Sequence, residues 1–299
     1  MRKHLPALAV VSAGILWGII SFFIRELSAC GLNAVQISFI RMVTAAPAFT
    51  VFMLIAARDK MKIRLRDIWM FAGTGIISIV LFNSLYFYTM IHAEASTAVV
   101  LLYTSPVFII LLSALIFGER ITPVKIAAVL MTVSGCALVA GVSGSSILTP
   151  LTLITGLGSG LFYGLYTIFG RFALKKYDTV TVTAYTFIMG MIGSFPVGKP
   201  GGILRAIGEQ PRLVLWCLGI GLICTVLPYF LYTWGLAGIE SGKAAVLAAV
   251  EPMVGAMIGM TCFGESRSVT KICGIVMILA AIILPGILSR RPGSDEKAQ

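Results

Sequence analysis

One carboxylate, Glu251, stands well inside a long apolar stretch, and one guanidinium, Arg41, lies comparably deep in another. A charge buried in a bilayer costs about 2.5 to 3.5 kcal/mol on insertion scales, so each needs a partner, a cavity or, for the acid, a proton. Four roles are open. The two side chains could pair with each other, each could meet a charged end of a small solute, Glu251 could take up and release a proton, or each could brace the helices through nearby backbone.

Around these charges the sequence sets polar aromatics. Tyr86 stands in the run Leu85-Tyr86-Phe87-Tyr88 with Asn83 just before it, and Tyr232 lies in a second aromatic run over 229–234. Trp17, Tyr103 and Tyr163 fall deep in their segments, where a polar tip needs a partner. Asn83 could supply orienting hydrogen bonds. Pro106 and Pro252 sit mid-segment, where a missing N–H frees the carbonyls of Leu102 and Ala248 and kinks the helix. Carbonyls freed at mid-membrane must be buried in protein or line a water-filled cavity. Pro106 and Pro252 are therefore expected to shape a cavity lined by Trp17, Arg41, Asn83, Tyr86, Tyr103, Tyr163, Tyr232 and Glu251.

Enzymatic chemistry has no comparable foothold. His4 and His92 are the only histidines, no HExxH or phosphate-cradling glycine loop is present, and no nucleophile meets a base. No catalytic residue, metal or cofactor is expected. The six cysteines lack the close spacing of a zinc or redox site. Leu27-Ser28-Ala29-Cys30 looks like a lipoprotein cleavage box, but Arg25 and Glu26 interrupt the apolar stretch, and the first segment is expected to stay as a helix.

The elements that must position these residues are membrane helices. Hydrophobic residues make up 58% of the chain and charged residues 12%, half the share of a soluble domain, with a mean hydropathy of +0.98. Continuous apolar runs predict ten spans, near 5–23, 34–56, 68–90, 95–117, 123–141, 150–172, 180–198, 213–235, 242–263 and 269–288. Barrel strands would alternate instead. The fold class is an all-α integral membrane protein.

Shifting the sequence by 146 residues superposes its halves. Gly14, Gly18 and Arg25 meet Gly160, Gly164 and Arg171; Tyr86, Glu94 and Pro106 meet Tyr232, Glu240 and Pro252; and Phe117-Gly118-Glu119 meets Phe263-Gly264-Glu265. Five spans per half, an odd number, make these inverted-topology repeats. One repeat is assigned to 1–145 and the other to 146–288, with an uncharged linker near 141–150 and a polar tail at 289–299. Glycines four apart, as in Gly156, Gly160 and Gly164, predict close helix packing. Glu119 and Glu265 are read as interfacial caps or ion-pair anchors, and Glu94 and Glu240 as acids at helix N-termini.

The formal charge of +11 is distributed one-sidedly. With the N-terminus inside, one set of turns holds Arg58, Lys60, Lys62, Arg64, Arg66, Arg120, Lys125, Arg171, Lys175 and Lys176, while the other holds few cations. Cytoplasmic loops gather Lys and Arg, so both termini are expected to be cytoplasmic, in a multi-pass protein of the cytoplasmic membrane. No basic face remains for nucleic acid. The expected partners are a small-molecule substrate and membrane lipid, with the chain a monomer or homodimer.

The chain resembles the EamA-type transporters of the drug/metabolite transporter superfamily. The likeness rests on Leu16-Trp17-Gly18, Arg41, the run Thr104-Ser105-Pro106-Val107-Phe108 leading to Phe117-Gly118-Glu119, and Glu251-Pro252-Met253 leading to Phe263-Gly264-Glu265. It implies a ten-helix bundle around a central cavity, alternating access, and frequently the export of amino acids or other small metabolites. Small multidrug members of the superfamily carry a carboxylate in the first helix, and residues 5–23 hold none. The expected function is secondary transport of an amino acid or related metabolite, in the direction of export. An exporter of drugs or lipid-like compounds and a nontransporting scaffold or receptor are the alternatives.

Overall fold

The computed structural model describes residues 4–92, 95–140, 149–262 and 268–288. The linker over 141–148, Glu94, the segment 263–267 with Glu265, and the tail at 289–299 lie outside the described residues. Among the described residues the chain is helical and has no strand. Nine helices are long and apolar enough to cross a membrane: Leu5–Ala29, Ala34–Ala56, Leu65–Thr89, Ala98–Phe117, Pro123–Ala140, Pro150–Leu174, Thr179–Gly198, Leu213–Leu236 and Ser241–Cys262. A tenth apolar helix, Val269–Leu288, completes two five-helix repeats. The first span continues past 23 to Ala29, and Arg25 and Glu26 sit in its last turns. A short amphipathic helix, Pro200–Glu209, follows the seventh span and buries Ile203.

The two prolines produce breaks rather than kinks. The fourth span stops at Leu102 and restarts at Ser105, and the ninth stops at Ala248 and restarts at Val250. Pro106 and Pro252 therefore occupy first turns, where a missing N–H is tolerated because that donor has no intrahelical acceptor. Glycines of the other repeat receive the freed carbonyls. A Cβ on Gly160 would lie 2.8 Å from the Leu101 carbonyl oxygen and 3.1 Å from that of Leu102, and one on Gly14 would lie 2.9 Å from that of Ala248. The sixth span thus packs on the fourth, and the first on the ninth.

Two π-helical segments also obey the repeat. They occupy Gly73–Val80 in the third span and Leu222–Val226 in the eighth. Gly75 lets the third span approach the backbone of the seventh, and its equivalent Gly221 lets the eighth close on Thr44 of the second. Every one of these contacts joins one repeat to the other.

Adding a methyl group at Gly75 would drive a Cβ into the Thr186 carbonyl and to 2.7 Å from the Gly190 nitrogen, both backbone atoms that cannot swing aside. Gly75→Ala is expected to lower stability by about 1 to 3 kcal/mol, the usual penalty of overpacking. Gly201→Ala, which meets nothing within 4 Å, should stay within about 0.5 kcal/mol of the parent. Unfolding of the detergent-purified proteins compares the two.

Candidate functional site

The bundle encloses a cavity of about 520 Å³ between the repeats, within the usual range for small-molecule sites. Its rim carries Ile24, Ala34, Ala140 and Lys271, so it opens at the end where the first span meets the second and the fifth span ends. Nine of the ten spans line it, all but the seventh.

Glu251 and Arg41 both face this cavity. Glu251 owes its position to the break in the ninth span, which places it in the first turn of the restarted helix Val250–Cys262. A helix N-terminus favours a carboxylate there. The Tyr163 hydroxyl donates to its Oε2 at 3.3 Å, and Tyr103 lines the same cavity. Arg41 donates through Nε to Thr225 Oγ1 at 2.9 Å, and Tyr229 is a further neighbour. The contact between Arg41 and Glu251 that their depths suggested does not form: no ion pair among the described residues includes either one. One cavity therefore presents an anion and a cation that do not neutralise each other by contact.

The other expected residues divide by depth. Tyr86, Asn83, Trp17, Tyr103, Tyr163 and Pro252 line the main cavity. Asn83 donates its amide to the Ile79 carbonyl of its own helix at 2.7 Å. Tyr232 and Pro106 do not reach that cavity; they line a separate pocket of about 30 Å³, shared with Trp17, Tyr103 and Tyr163. Tyr232 is held there by a 2.7 Å hydrogen bond with Thr167, and Tyr166 bonds Thr233 at the same distance. Trp17 packs edge-on against Tyr229 at 5.0 Å. Among the described residues no cluster of three His, Cys, Asp or Glu could hold a metal.

The end opposite the cavity mouth is closed. All five ion pairs between described residues lie there, and four of them join the two repeats. Glu119, at the end of the fourth span, accepts from Arg171 of the sixth at 2.9 Å and from the backbone N–H of Ser241 at 3.0 Å. Glu240 stands at the N-terminus of the ninth span as expected, but its side chain pairs with Lys125 at 2.7 Å, and the carboxylate that accepts from the first N–H groups is Glu119. Asp67 receives Lys176 at 2.6 Å and the Tyr177 hydroxyl at 2.7 Å, and Lys60 meets Asp178 at 3.0 Å. Tyr185 and Thr181 add hydrogen bonds to the carbonyls of Met61 and Lys60.

Thr225 escapes the sequence reading, and Tyr229 enters it only as part of the aromatic run over 229–234. Neither carries a motif, but the 146-residue shift holds a signal, because Thr225 falls on Ile79 and Arg41 on Phe187. The polar pair Arg41 and Thr225, one from each repeat, has an apolar counterpart in Phe187 and Ile79.

Comparison with known proteins places this geometry. The model of the EamA-like transporter family matches residues 4–141 and again 150–286. An uncharacterized transporter of Archaeoglobus fulgidus is 27% identical over 285 residues, covering 92% of this chain and 94% of its own. The uncharacterized inner membrane transporter YicL of Salmonella typhimurium is 25% identical, with 95% and 96% covered. A probable terminal-alkyne amino-acid exporter of Streptantibioticus cattleyicolor is 23% identical, with 74% of each chain covered. A solved crystal structure of another protein shares the fold with a TM-score of 0.77 at 16% identity, covering 97% of this chain and 99% of that one. With two family domains filling both five-helix repeats, the chain belongs to the EamA-like transporter family.

Proposed function

We propose that this transporter moves a small zwitterionic metabolite, an amino acid or a related compound, across the cytoplasmic membrane by alternating access, in the direction of export. The observation that carries the reading is the pair Arg41 and Glu251, opposite in sign, facing one cavity without pairing to each other. A guanidinium suits a carboxylate and a carboxylate suits an ammonium. The name of the Streptantibioticus relative agrees with this class. The basic turns at the closed end support a cytoplasmic position for that end, with the cavity opening outward on this reading. Moving substrate then requires the ion pairs of the closed end to part while the cavity mouth closes.

Counterflow in proteoliposomes with a panel of labelled amino acids, sugars and hydrophobic cations tests the substrate class. Saturable exchange of zwitterions is expected, falling roughly tenfold or more in Arg41→Ala and Glu251→Gln with both variants still folded and inserted. Full exchange by both variants would sink the reading. Exchange of hydrophobic cations alone would favour the drug class, for which the aromatic lining speaks, and loss of insertion would return both charges to bracing. An imposed pH gradient, applied to the parent and to Glu251→Gln, shows whether a proton is exchanged on Glu251.

Access is tested at the closed end. Arg171→Gln removes the cation that Glu119 holds at 2.9 Å. A cysteine introduced at Ala256 of the cavity wall, in a background without other cysteines, is expected to react faster with a membrane-impermeant reagent supplied from the closed side, roughly tenfold for each 1.4 kcal/mol of closure lost. Unchanged labelling from that side would show that these ion pairs do not hold the end shut.

A further inference from the structure

We infer that Thr225 is a positioning residue: it fixes the guanidinium of Arg41 and thereby sets how the cavity receives the anionic end of its substrate. The inference rests on the reading that Arg41 meets that end. Thr225 is fully buried and belongs to the π-helical segment Leu222–Val226. Its hydroxyl donates at 2.9 Å to the carbonyl of Ile220, five residues earlier. A hydroxyl has one proton, so with that proton committed it can only accept from Arg41. The Nε–H of Arg41 supplies the bond, also at 2.9 Å.

Anchoring Nε has a geometric consequence. The guanidinium is planar, so fixing its Nε–H direction fixes where the two terminal amino groups point. A fork held in one orientation can give a carboxylate two parallel hydrogen bonds, and the entropy of ordering it is lost before substrate arrives. Tyr229, one helical turn beyond Thr225, is Arg41's other neighbour. That ring is wedged between Trp17 and Phe187, each 5.0 Å away between centroids.

The internal repeat separates this role from scaffolding. Both repeats have the π-helical segment, so the segment itself belongs to the bundle. In the first repeat the position of Thr225 is held by Ile79, and in the second the position of Arg41 is held by Phe187, both buried in one apolar cluster. The helix therefore forms without a hydroxyl at this point, and the hydroxyl stands in the repeat that faces a cation.

Thr225→Val, which keeps the shape and removes the acceptor, and Thr225→Ser, which keeps it, are compared with the parent in two measurements. In counterflow, Thr225→Val is expected to raise the half-saturation concentration for an amino acid roughly tenfold, with little effect on its decarboxylated amine and none in an Arg41→Ala background. Thr225→Ser should stay within about twofold of the parent, well under one charge-assisted hydrogen bond. By nitrogen NMR, the Arg41 Nε–H signal, assigned by its loss in Arg41→Ala, should exchange with water faster in Thr225→Val than in Thr225→Ser. Equal exchange in the two variants, or a transport defect of the same size without Arg41, overturns the inference. If the parent exchanges no zwitterion while the NMR contrast stands, the positioning of Arg41 holds and the substrate reading alone fails.

Discussion

A helix interrupted in the middle of a bilayer has to hide the carbonyls it frees, because no water is there to donate to them. That constraint organises this bundle. The fourth and ninth spans break at Tyr103-Thr104 and Ala249, and the glycines of the sixth and first spans admit the broken ends at backbone distance. Each break is covered by a helix of the opposite repeat. The close glycine packing and the paired prolines are two sides of one requirement.

The breaks also build the chemistry. Restarting the ninth helix at Val250 puts Glu251 in a first turn, where backbone N–H groups favour its charge. The equivalent residue at the start of the restarted fourth helix is Ser105, which is neutral. Arg41 likewise faces the cavity from one repeat while its equivalent Phe187 packs in the core. The scaffold is nearly symmetric and the charges are not. A pseudo-symmetric cavity with one cation and one anion distinguishes the two ends of a solute, as a symmetric one could not.

Much of this was legible in the sequence, and the limits are instructive. Hydropathy located the ten spans and the depth of Arg41 and Glu251 within them, and the 146-residue shift located the repeats. Proline spacing marked Leu102 and Ala248 as the freed carbonyls, yet it suggested kinks, because a lone proline does not reveal whether its helix continues behind it. Inversion sends Tyr86 toward the outer face and Tyr232 toward the inner one, as their equivalence implies, yet both were expected to line one cavity; Tyr86 reaches the open cavity and Tyr232 the small pocket. The partners of Glu119 and Glu240 were hidden for a different reason: they are chosen by helices far apart in the chain. Thr225 carried a faint mark, a hydroxyl where the other repeat has Ile79.

The segment Ser241–Ala248 is only eight residues long, about 12 Å at the rise of an α-helix. Its first residue hangs by its backbone N–H from Glu119 at the closed end, and its last abuts the break that seats Glu251. So short a rod has no joint of its own. The clasp at one face of the membrane and the break beside Glu251 are therefore the two ends of a single lever, and a displacement of either end is delivered to the other.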